Sequence, residues 1–91
     1  MKFQSMFLDR WSALEWSAIA SRHNDLVCLE LNEGRYRIHA AKKIHPEDIK
    51  QLEAMTIVAV IAQGQISRSN LDPGEQSFLQ EELNRIRRNG N

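Results

Sequence analysis

Residues 55–62, Met55-Thr56-Ile57-Val58-Ala59-Val60-Ile61-Ala62, decide how this chain folds, because the run is apolar almost all round. An amphipathic helix repeats its apolar positions every three to four residues and a half-buried strand every two, so a run without a polar side fits either element. Punctuation has to arbitrate. Just upstream, Pro46 suits the first position of a helix, Glu47 and Asp48 suit the positive end of its dipole, and Ile49, Leu52, Met55 and Thr56 share one face. No Gly or Pro interrupts the chain between Pro46 and Gly64, which predicts one continuous helix from Pro46 to about Ala62. The Thr, Ile and Val content sustains the alternative, a third strand over 55–62.

Moving toward the N-terminus, Leu26 to Ala41 reads as a β-hairpin whose register follows from alternation. Val27, Leu29 and Leu31 share one face of the first strand, and Tyr36, Ile38 and Ala40 share one face of the second. These rows meet only if Leu31 lies opposite Tyr36, Leu29 opposite Ile38 and Val27 opposite Ala40; a slip of one residue sets them against Arg35, Arg37 and His39. The same register pairs Glu30 with Arg37 and Cys28 with His39 on the outer face, around a loop Asn32-Glu33-Gly34-Arg35. Residues 3–22 read as a first helix, with Phe3, Met6, Phe7, Trp11, Leu14 and Ala18 on its core face. Leu8, Trp16 and Ile19 form a second apolar stripe on another side. Toward the C-terminus, 64–71 reads as a polar connection. Asp72-Pro73-Gly74-Glu75 carries the signature of a capped helix start. That last helix shows a stripe of Phe78, Leu79, Leu83 and Ile86, an i,i+4 pair of Glu81 with Arg85, and basic residues at its negative end. The expected fold is therefore α+β, a single domain over 1–91 ordered helix, β-hairpin and two helices, with the third strand as the alternative.

Composition bounds the function. Twelve basic and twelve acidic residues cancel, which removes a bulk electrostatic drive toward nucleic acid or anionic membrane. The single cysteine, Cys28, leaves no internal disulfide framework and fits a reducing compartment. Asp9, Arg10 and Glu15 break any signal-like apolar run, and no stretch reaches 18 apolar residues, so a cytoplasmic location without membrane association is the expectation. His23, Cys28, His39 and His45 fall close together, yet no paired ligand spacing of a zinc site is present, and no metal or other cofactor is expected. Four scattered glycines give no phosphate loop.

Three function classes follow from what remains. The first is a non-catalytic protein-binding module, a small regulator, adaptor or inhibitor that self-associates as a homodimer. It is motivated by more large apolar side chains than a short chain can hide, with Leu8, Trp16, Ile19, Ile57, Val58 and Ile61 at the interface. The second is nucleic-acid binding through Arg35, Arg37, Lys42 and Lys43, with His39 beside them, on the outer face of the hairpin. Tyr36 faces the core in this register, so the stacking platform of a single-strand binder is missing. The third is an enzyme using Cys28 as nucleophile and His39 as base, which would need an orienting group and an oxyanion pocket besides. The first class accounts for most of the sequence and is taken as the expectation, with no catalytic activity.

Overall fold

The computed structural model describes residues 6–89. The chain is α+β. Its elements are β1 (Met6–Leu8), α1 (Arg10–Ala20), β2 (Leu26–Asn32), β3 (Arg35–Ala41), α2 (Pro46–Glu53), β4 (Ile57–Ala62), β5 (Gln65–Ser69) and α3 (Pro73–Asn89). The strands form one antiparallel sheet in the order β1-β3-β2-β4-β5.

The decisive run is a strand. The helix that starts at Pro46 ends at Glu53 with Ala54 as its C-cap, and Ile57–Ala62 lies between β2 and β5. The predicted continuous helix to Ala62 is thus corrected to its alternative. The reason is that a strand in the middle of a sheet has two faces to bury. Ile61 and Ala59 pack into the larger core beneath α1 and α3, while Ile57 and Val60 pack with Leu26 and Cys28 on the opposite face, beside Leu52 and Met55. A run without a polar side is what such a strand requires, and its β-branched residues fit the pleat better than a helix.

The hairpin of β2 and β3 holds the expected register at every pair, including Leu29 with Ile38, Glu30 with Arg37 and Cys28 with His39. Its turn places Glu33 at φ 54° and Gly34 at φ 78°, the left-handed pair of a type I′ turn. A second hairpin does the same: Gln63 at φ 52° and Gly64 at φ 79° join β4 to β5, where the sequence suggested only a polar connection. Each hairpin then leads through a short loop into a helix that begins with proline, Pro46 or Pro73. The domain therefore contains the same unit twice, hairpin then helix, with the two sheets fused side by side through β2 and β4.

The first helix is shorter than its periodicity implies. Residues 3–5 of the predicted helix lie outside the described residues, and Met6–Leu8 pairs with β3 as an edge strand. Asp9 is the reason. Its carboxylate accepts from the Ser12 amide at 3.0 Å and from the Ser12 hydroxyl at 2.8 Å, so the helix starts at Arg10 and the apolar spacing upstream of Asp9 belongs to a different element. The face of α1 that is buried carries Ala13, Leu14, Ser17 and Ala18, and Leu14 is completely enclosed. Trp11, expected on this face, lies on its flank instead, half exposed, with its ring 5.3 Å from that of Phe78 in an edge-to-face arrangement.

Helix α3 follows the sequence closely. The Glu75 amide donates to Asp72 Oδ1 at 2.9 Å, and the Asp72 amide donates to Glu75 Oε1 at 3.3 Å, which is the reciprocal cap expected. Leu79 and Leu83 are buried, with Phe78 and Ile86 packed beside them. Burying each such leucine contributes roughly 1.5–3 kcal/mol. Arg85 pairs with Glu82, three residues before it, and not with the predicted Glu81 four before it. Glu75 is itself buried, and its charge is met by Arg10 Nε at 2.8 Å and by the Tyr36 hydroxyl, which donates at 3.1 Å. One carboxylate thus joins α3, α1 and β3.

Candidate protein-interaction surfaces

The two sheet faces are covered unequally, and each leaves an apolar surface. On the first face α1 and α3 form a layer, and the outward side of α1 carries Trp16. At 100° per residue Trp16 projects opposite the buried Leu14, and it is 48% exposed. Ile19 lies on the same side, half-buried, and Trp11 is 50% exposed at the seam with α3. The expected second stripe is therefore real for Trp16 and Ile19. Leu8 lies in β1 opposite Tyr36, ahead of the helix and not on that stripe.

Among the described residues, the second face has only the eight-residue α2 above it. Leu52 and Met55 reach the sheet over Leu26, Cys28, Ala41 and Ile57, and a groove of about 250 Å³ remains between α2 and the outer strands. Ile49 and Glu53 form its rim on α2, Val60 its floor on β4, and Ser67 and Arg68 its far side on β5. Ile49 is 44% exposed, and Ile44 just before the helix is exposed too. From the predicted interface, Ile57 and Ile61 are buried on opposite sides of β4 and Val58 is half-buried against the main core. The fold does not bring these three to one surface with Trp16. The apolar groove beside them is the feature that sequence reasoning missed, and it follows from pairing a long sheet with a short helix.

The same face gathers the titratable groups. Cys28 and His39 are cross-strand partners as expected, but both are buried. His39 Nε2 donates to Glu30 Oε1 at 2.9 Å, and Arg37 Nη1 lies 3.8 Å from the same oxygen. Asp48, which the sequence suggested as a dipole partner, is fully buried near Cys28. Burial first, and the Asp48 charge second, push the Cys28 thiol up to about 12, against a smaller downward pull from Arg68. A thiol held in that state is a buried hydrophobe more than a nucleophile. Among the described residues, no three His, Cys, Asp or Glu side chains are grouped so that they could hold a metal ion.

The basic residues proposed for nucleic acid do not form one stripe. Arg35, Lys42 and Lys43 are exposed, while Arg37 is half-buried over Glu30 and His39 is interior. Arg35 stands at the turn end of β3 and Lys42 and Lys43 follow its other end, so the positive charge is split by an acid-bearing centre. Among the described residues, no helix is long and apolar enough to cross a membrane. No known family model, curated protein or solved structure matches this chain.

Proposed function

We propose that the chain is a non-catalytic protein-binding module that associates with a second copy of itself, acting as a small regulator, adaptor or inhibitor in the cytoplasm. The observation that carries this reading is the exposure of large apolar side chains on both faces: Trp11 and Trp16 above α1, Ile44 and Ile49 around α2. Tryptophan in particular anchors interface hot spots. The state of Cys28 supports a non-catalytic role, since the only thiol is kept protonated and enclosed.

Sedimentation equilibrium over a concentration series tests self-association directly. The expected result is a dimer mass emerging in the micromolar range. A monomer throughout, up to high micromolar concentration, would overturn it.

A further inference from the structure

We infer that the groove between α2 and β5 binds a free aliphatic α-amino acid of leucine size, its carboxylate held by Arg68 and Ser67 and its ammonium by Glu53. This goes beyond self-association and does not depend on it. The site begins with a bulge. Val60 lies opposite Arg68 and Ile61 opposite Ile66, so Ser67 is an extra residue in β5. Ile66 packs against the main core, whereas Ser67 and Arg68 both line the groove on the α2 face. A regular strand would send neighbouring side chains to opposite faces; the extra residue brings a hydroxyl and a guanidinium to the same one.

The opposite wall is set by helical spacing. Leu52 and Glu53 follow Ile49 by three and four residues on α2, so the three share a side and line the groove together. Glu53 and Arg68 are thus opposite charges on facing walls, yet among the described residues no ion pair engages either one. Between them the floor is Val60, and none of the described lining is aromatic. A free aliphatic amino acid matches each part. Its two charges sit on one carbon and meet both walls, while its side chain lies along Ile49, Leu52 and Val60. The guanidinium suits a carboxylate because its paired N–H donors match the two oxygens. A residue at the end of a peptide carries only one of the two charges, and a fatty acid only the negative one, so neither satisfies both walls. The volume, about 250 Å³, falls just below the roughly 300–1,000 Å³ of clefts that take drug-sized molecules, which suits a single amino acid.

Titration of the isotope-labelled protein with L-leucine, followed by amide chemical shifts, tests this site. The expected result is saturable movement of the Leu52, Ser67 and Arg68 amides, with a dissociation constant on the order of 1 mM or tighter. Isocaproate, which lacks the ammonium, and isopentylamine, which lacks the carboxylate, should each bind about tenfold more weakly. Both Glu53 and Arg68 are exposed, so replacing them leaves the interior intact. Arg68→Gln should weaken leucine about tenfold and leave isopentylamine unchanged, whereas Glu53→Gln should weaken leucine as much and leave isocaproate unchanged. No saturable shift up to about 10 mM leucine, or movement confined to other surfaces, overturns the site. Analogues that bind as tightly as leucine, or variants that weaken all three ligands alike, overturn the roles given to the two charges.

Discussion

Cys28 shows how far a residue's neighbours can change its meaning. In the sequence it stands across from a histidine and invites a catalytic reading; in the fold it is a completely buried thiol pushed up to about 12. Iodoacetamide at about pH 8 is therefore expected to leave Cys28 untouched in the native protein and to modify it fully in denaturant, as mass spectrometry would record. Rapid native alkylation would contradict that. Tyr36 supplies a second residue-level test. Burial, then the charge of Glu75 and the hydrogen bond to it, raise the Tyr36 phenol above its ordinary value. A raised acid contributes stability that is fully present below the unfolded pKa, about 10, and is lost as pH climbs through the folded value. Stability measured by urea titration should thus fall above about pH 10, and Tyr36→Phe should flatten this component of the decline. The same substitution should cost roughly 1–3 kcal/mol at neutral pH through the lost bond to a carboxylate.

The elements explain why some of the fold was legible and some was not. The β2–β3 register could be read because polar and apolar residues alternate there and only one pairing puts both apolar rows on one side. The cap of α3 could be read because its Asp-Pro-Gly-Glu signature is local. Strand β4 could not, since its two faces are buried by partners far away in sequence, and periodicity carries no information when both sides are apolar. A signal was nevertheless present in the turns: Glu33-Gly34 and Gln63-Gly64 adopt the same positive φ values, so the second X-Gly pair marked a hairpin as plainly as the first. This gives a prediction with opposite signs at different glycines. Gly64→Ala should lower the unfolding free energy by about 1–2 kcal/mol, because alanine resists φ 79° even though nothing crowds its Cβ. Gly74→Ala, inside α3 with only an ordinary 3.5 Å contact to Asp72, should raise it by up to about 1 kcal/mol. Urea midpoints of the two variants would separate them.

At the scale of the molecule, the apolar surplus that motivated an interface was partly an artefact of reading β4 as a helix. Ile57 and Ile61 are consumed by the sheet, whereas Trp16 on α1 is exposed. The groove beside α2 was not foreseeable, because it depends on how little of the second face an eight-residue helix can cover. Glu75 has a further consequence, for the order of assembly. The carboxylate that neutralises Arg10 and receives the Tyr36 hydroxyl belongs to the last helix, and so do Leu79 and Leu83, which close the main core. During synthesis, α1 and the first hairpin must therefore leave the ribosome with their inner faces still uncovered, and they remain so until α3 emerges. For that interval the nascent chain offers a hydrophobic surface to whatever chaperone stands at the exit tunnel, and the docking of one helix ends the exposure.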